Sequence, residues 1–279
     1  MKKVYFAATP WASSSEQLAN FIHQTPNNTG IWNNIQAVSN QKEADFVIVM
    51  DRSMEPVDLK KVIFFGREPK HVHGAYSEWH MPCFGNYHHE MGNSWLAMTW
   101  WTKVPFNELI NLSPVKEKLI SVIDSGKRVT TYHSYRLDLI KSLMKKLKND
   151  LDCYGNIVNN PLPSRDKTKG LEKYRYNLAI ENGRTDLYFS EKFCDPLLFL
   201  TMPIYSGCKK IDKFFPKDSY VLIDDEKPNN YNVEKIKEVI GSDIREQNIE
   251  AIKEARHLVL YKYNIWSTID LAVNTGSIL

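Results

Sequence analysis

Continuous apolar runs, more than alternation, mark the strand candidates of this chain. Val4 to Ala8, Phe46-Val47-Ile48-Val49-Met50 and Val62-Ile63-Phe64-Phe65 each lack polar interruption. Strands covered on both faces in a parallel sheet read this way. Between the first two, Ser13-Ser14-Ser15-Glu16 predicts a helix start, with Leu18, Phe21 and Ile22 on one face to about His23. The pattern restarts further on. Leu119 to Ile123 reads as a strand, and Tyr135 to Leu147 as a helix with Leu139, Ile140, Leu143 and Leu147 inward. Leu151 to Asn156 is a short strand and turn. Tyr176, Leu178 and Ile180 alternate with Asn177 and Ala179 in a further strand, and Ile204-Tyr205 and Tyr220 to Ile223 add two more. Val233 to Ile240 and Asp243 to Tyr261 read as helices, the second with Asp243 and Glu246 as a capping box. Two successive α/β halves follow, meeting near Ser113-Pro114-Val115-Lys116. The expected domains are 1–113 and 114–279, with the last helix returning to the first. Two Rossmann-like domains or one large sheet would both satisfy this pattern.

Composition narrows the class. The chain has 279 residues, 43% hydrophobic and 12% aromatic, enough for two modest cores. Net charge is +3, too small to point to nucleic acid. No run approaches the ~18 apolar residues of a membrane span. The expectation is a soluble, cytoplasmic protein with no integral membrane segment, its oligomeric state left open. Cys83, Cys153, Cys194 and Cys208 form no CxxC pair, so neither a zinc site nor a disulfide framework is indicated. His71 and His73 alternate on one face without a third ligand at a recognisable distance, and Asp224-Asp225 lacks a metal-binding spacing, so no metal is expected. The basic face formed by Lys141, Lys145, Lys146 and Lys148 reads as a solvated helix surface.

Chemistry concentrates between Tyr174 and Gly207. A strand ends at Glu181-Asn182-Gly183, a polar loop follows, and Ser190 caps a helix opening with Glu191 and Lys192. Phe193, Leu197, Leu198 and Leu200 supply its apolar face. Pro196 removes one helical hydrogen bond. A strand-to-loop-to-helix start gathers unpaired N–H groups and suits an anion.

In order and at matching separation, Glu181-Asn182, Tyr188-Phe189-Ser190-Glu191-Lys192 and Pro203-Ile204-Tyr205-Ser206-Gly207 resemble the donor-binding motif of family 10 glycosyltransferases, the α1,3/α1,4-fucosyltransferases. Phe215 to Val221 is similar to the family's next segment. The segment Lys127 to Arg136 and the Tyr154-Gly155 turn are similar too, and Phe65-Gly66-Arg67-Glu68-Pro69 resembles the acceptor-side segment with an acid beside Pro. Good cover runs from Lys127 to Asp224. The stretch from about Val62 matches in part, and the first sixty residues hardly at all.

The resemblance implies a GT-B fold of two Rossmann-like domains facing a central cleft. It implies an inverting, metal-independent transfer of fucose from GDP-fucose to a hydroxyl of a glycan acceptor. Carried over, Arg136 and Lys192 would hold the diphosphate, Glu191 the ribose hydroxyls, and Asn182 and Tyr188 would lie against the donor. Glu181 would organise the loop and Glu68 would be the general base, with Asp51, Glu78 and Glu90 as rivals. Ser206 stands where the family often has a larger residue, which would widen the pocket and admit another nucleotide sugar. A GDP-sugar-binding protein without transfer is the remaining alternative.

Overall fold

The computed structural model describes residues 1–67, 85–88, 99–162 and 166–275. Two compact units divide the chain. One comprises Met1–Thr99, Val104–Asn111 and Leu260–Leu279, the other Trp100–Lys103 and Leu112–Val259. The boundary near residue 112 lies beside the junction read from the sequence, but Trp100–Lys103 belongs with the second unit.

In the first unit, β1 (Lys2–Phe6), β2 (Ile31–Trp32), β3 (Ile35–Ala37), β4 (Phe46–Met50), β5 (Val62–Gly66) and β6 (Gly85–His88) form one sheet in the order β2-β3-β1-β4-β5-β6. Only the β2–β3 pair is antiparallel. The continuous apolar runs are the buried strands: Val47 to Met50 and Val62 to Phe65 are each at most 3% exposed. Helix α1 (Ser14–Ile22) starts where expected, on a capping box of Ser13 with Glu16. The pattern missed β2 and β3, which are too short to show a period. It also missed α2 (Phe106–Asn111), where Val104 to Phe106 reads only as a crossing segment.

The second unit carries β7 (Lys118–Ile123), β8 (Leu151–Tyr154), β9 (Tyr174–Ile180), β10 (Met202–Ser206) and β11 (Val221–Leu222), all parallel, in the order β11-β10-β9-β7-β8. The chain leaves β7 for β8 on one side and returns to β9 on the other. The carboxyl ends of β7 and β9 therefore diverge into a crevice, the usual ligand position in an open parallel sheet. Helix α3 (Thr131–Leu147) begins four residues before the expected Tyr135, because the Thr130 hydroxyl accepts the His133 N–H and caps it there. Short α4 (Thr168–Leu171) leads into β9, and α5 (Glu191–Leu198) follows it. Helix α6 (Asn229–Ile240) packs on α3.

The single helix expected from Asp243 to Tyr261 is instead α7 (Ile244–Gln247), α8 (Ile249–His257) and a π-turn at Leu258–Lys262. Asp243 makes no side-chain cap; Arg175 on β9 draws both Asp243 and Glu246 into ion pairs. A half-buried salt-bridging strand residue thus competes away the local cap. The chain closes with α9 (Ile265–Thr275) in the first unit, where the Trp266 indole donates to the Phe21 carbonyl at 2.8 Å and packs edge-on to Phe6.

One backbone position ties the fold to the crevice. Gly155, just past β8, adopts φ +95°, and a Cβ there would collide with the carbonyl of Asp124 at the end of β7. Gly155→Ala is expected to destabilise the protein by about 2 kcal/mol or more, from strain and collision together. Denaturant unfolding would check this; a variant as stable as the parent would show that the Asp124 turn is not constrained there.

Candidate functional site

Glu181 follows β9 and is fully buried. A buried carboxylate needs donors. Its Oε1 accepts the Ser190 N–H at 2.7 Å, its Oε2 accepts the Ser190 hydroxyl at 2.6 Å, and the Lys192 ammonium lies 3.7 Å away. Burial pushes the Glu181 carboxyl above the usual range, and Lys192 offsets this only in part. Gly207 makes the room, since a Cβ there would collide with Glu181 Cγ and the Tyr205 hydroxyl. The β9 terminus is thereby clamped to the N-terminus of α5.

Helix α5 is held from below by rings. Phe189 lies 5.0 Å from Phe214 and 5.4 Å from Phe215, and Phe193 lies 4.7 Å from Tyr205. The Ser190 hydroxyl accepts the Lys192 N–H at 3.3 Å as the expected cap. Pro196 sits in the last turn, and the chain leaves through Leu200 at φ +55°.

Arg136 comes from α3 and is 5% exposed. Its Nε pairs with Asp124 at the end of β7, and its Nη1 donates to Asn182 Oδ1 at 3.0 Å and to the Ile180 carbonyl at 3.4 Å. Thr130, the cap of α3, donates to the Asn182 carbonyl at 3.5 Å. One pocket at the ends of β7 and β9 is lined by Asp124, Arg136, Lys167, Asn177 and Lys192, among others. The expected pair, Arg136 and Lys192, thus shares one wall. Asn182 and Glu191 engage these cations from the side, with Glu191 3.4 Å from Lys192. Tyr188 is 1% exposed and, like Asn182 and Glu191, is not among the residues lining this pocket.

Lys167, Asp195 and Asp124 were not singled out from the sequence. The Lys167 ammonium lies 3.4 Å from Glu191 and 2.9 Å from Asp195, which is fully buried. A signal existed: Asp195 stands four residues after Glu191 on one helix face, and a second acid in an otherwise apolar helix calls for a cation. Burial raises the Asp195 carboxyl to about 6, with Lys167 opposing. Burial also acts to raise Glu191, but Lys192 and Lys167 outweigh it and hold that carboxyl well below the usual range. Burial lowers His133, with Arg136 adding to the effect.

Other expectations fall out differently. Asp51, a rival base, sits at φ +58° after β4 and is 4% exposed. Its Oδ1 accepts the Arg67 N–H at 2.7 Å, and its Oδ2 accepts Arg67 Nε at 2.9 Å and faces Nη2 at 2.8 Å. Asp51 is therefore a pin for Arg67, with both its oxygens engaged. Ser206 is 2% exposed and is not among the residues lining this pocket. Asp225 is taken by Arg184 at 3.0 Å and by Tyr132. Glu68, Glu78, Glu90, His71, His73 and Cys83 lie outside the described residues. Among the described residues no cluster of metal-ligating side chains occurs, and no helix is long and apolar enough to cross a membrane.

Residues 114–244 match the model of glycosyltransferase family 10 (fucosyltransferase), C-terminal part. The crevice-bearing part of the chain is therefore similar to the C-terminal part of family 10 glycosyltransferases. Every element of the crevice described above, from Asp124 to Asp195, lies inside the matched residues. Alpha-(1,3)-fucosyltransferase B of Drosophila melanogaster is 33% identical over 106 residues, 33% of this chain and 23% of that protein. The chain spans 18% to 34% of the length of the first curated relatives it matches. A crystal structure of an α1,3-fucosyltransferase superposes with a TM-score of 0.51 at 16% identity, covering 95% of this chain and 91% of that one. A DNA-modifying β-glucosyltransferase gives 0.54 at 11% identity, covering 97% and 98%. These likenesses show the fold, which is of the GT-B type.

The electrostatics make a pH test available. Asp195 holds its proton more tightly in the folded chain than unfolded, where a carboxyl titrates near about 4. Its contribution is complete below about 4 and is lost as pH rises to about 6. The stability of the wild type relative to Asp195→Asn should therefore fall across that interval and then level off. Parallel thermal melts from pH 4 to 7 would check it; a difference that rises with pH would contradict the assignment.

Proposed function

We propose that the chain is a fucosyltransferase that moves fucose from GDP-fucose to a hydroxyl of a glycan acceptor, with inversion and without a metal ion. The observation that carries this reading is the meeting of Arg136 and Lys192 in one pocket at the N-terminus of α5, inside residues that match the family 10 domain. Two cations and a helix N-terminus suit a nucleoside diphosphate. Glu191, kept ionised, is an acceptor for ribose hydroxyls.

In this reading the diphosphate lies against Arg136 and Lys192, and Glu191 orients the ribose. Glu68 takes the proton of the acceptor hydroxyl as its oxygen attacks the anomeric carbon from the face opposite the diphosphate. The bond from that carbon to the phosphate oxygen breaks, and GDP leaves with the electron pair. The charge it gains is stabilised by Arg136, Lys192 and the α5 N–H groups. Asp51 leaves Glu68 with fewer rivals, since both its oxygens are engaged by Arg67. The buried free thiols of Cys194 and Cys208 suit a reducing cytoplasm. A second reading keeps the transfer but changes the donor. It is favoured by the fold's likeness to a β-glucosyltransferase described with uridine diphosphoglucose.

Titration calorimetry with GDP-fucose, GDP-mannose and UDP-glucose, with a chelator present, tests the donor. GDP-fucose is expected to bind, and the absence of any guanine-nucleotide binding at millimolar concentration would sink the proposal. Lys192→Ala should weaken donor binding by about tenfold or more. Glu68→Ala should cut turnover about 100-fold or more and leave donor affinity nearly unchanged. An equal loss of affinity in that variant would remove Glu68 as the base.

A further inference from the structure

Lys167 enters the site from the loop before α4. Its position is fixed by backbone contacts: its N–H donates to the Trp101 carbonyl at 2.7 Å, and the next residue, Thr168, is held by Asp166 at 2.6 and 3.0 Å. The ammonium spans one turn of α5, 2.9 Å from Asp195 Oδ2 and 3.4 Å from Glu191 Oε1. It also lines the pocket with Arg136 and Lys192.

Asp195 alone accounts for a structural lysine, since it is fully buried and needs a partner. The second contact is different. Glu191 keeps 24% of its side chain exposed and already has Lys192 at 3.4 Å. Lys192, however, is the cation that a diphosphate would take. Once it turned to phosphate oxygens, Glu191 would face a neighbouring anion with no counter-charge, and like charges at close range drive protonation or withdrawal. Lys167 supplies the missing charge from a fixed backbone, at the same Glu191 oxygen, Oε1, that its chain neighbour Lys192 approaches.

We propose that Lys167 is a positioning residue of the donor site, holding the Glu191 carboxylate turned to the ribose while Lys192 serves the phosphates. This rests on the donor reading above. It assigns Asp195 the part of an anchor that keeps Lys167 from moving to the phosphates itself. Burial acts against the Lys167 charge, but Asp195 and Glu191 outweigh it and keep the ammonium protonated.

The test is discrimination at the ribose. Calorimetry would compare GDP with 2′,3′-dideoxy-GDP, which lacks both hydroxyls that Glu191 would accept from. The wild type is expected to prefer GDP by about tenfold, the effect of a charge-assisted hydrogen bond. Lys167→Met should reduce the preference to within about twofold, and Lys167→Arg, which can still bridge two carboxylates, should restore most of it. Lys192→Ala should weaken both ligands alike and keep the preference. If Lys167→Met does not fold, Lys167→Met with Asp195→Leu replaces the buried pair by apolar groups of similar size and is read instead. A preference that survives loss of Lys167, or a wild type that binds both ligands equally, overturns the proposal. A wild type that binds neither overturns the donor reading, and the proposal with it.

Discussion

A carboxylate with no exposure to water organises the second half of this chain. Glu181 can be ionised at the end of β9 only because the N–H and hydroxyl of Ser190 and the ammonium of Lys192 are brought to it. That need fixes the path of the loop from residue 182 to residue 189 and the place where α5 begins. It fixes which residues open the helix, and so puts Glu191 and Lys192 beside Arg136. Gly207 and Tyr205 belong to the same constraint, one by leaving space and the other by closing over it at 3.5 Å. Removing one partner of such a cluster leaves a buried charge uncompensated, which costs about 3–5 kcal/mol.

The crevice is charged on both sides. Arg136, Lys167 and Lys192 face Asp124, Glu181, Glu191 and Asp195. Each cation already has a carboxylate, so an arriving anion exchanges one partner for another and adds no bare charge. That makes the resting site stable without ligand and rewards a ligand only when its oxygens match positions the carboxylates vacate. A point anion gains little from this, whereas a diphosphate with a ribose attached can use the cations and the freed carboxylate together.

Both sheets follow one plan, in which the chain leaves a central strand, pairs on one side and returns on the other. In the first unit the ends of β4 and β5 carry Asp51 and Arg67, locked to each other, with Arg67 lying 5.4 Å over the ring of Trp11. In the second the ends of β7 and β9 carry Asp124 and Glu181. One pair of strand ends is thus neutralised, and the other borders a pocket. The difference is that Arg136 reaches Asp124 from a helix across the crevice, while Arg67 reaches Asp51 from the next strand.

The apolar runs of β4, β5, β7 and β9, the Ser13 and Ser190 caps and the order of the motif residues were all legible in the chain itself. Each depends on neighbours within a few residues or on a period of hydrophobicity. The short strands β2 and β3 and the breaks between α7, α8 and the π-turn were not, because partners far away in sequence set them. Arg175, sixty-eight positions from Asp243, undid a cap that the local pattern favoured. Among the site residues, Arg136, Glu191 and Lys192 could be named from the sequence, but their charge partners could not. Asp124 is a plain residue at a strand end, and Lys167 is one of many lysines. The sequence by itself determined which segments are strands and helices and which helix start carries the chemistry, since burial and capping are short-range. Which acid pairs with which cation was decided only by the tertiary structure, since strand order, not sequence distance, sets the few ångströms between charges.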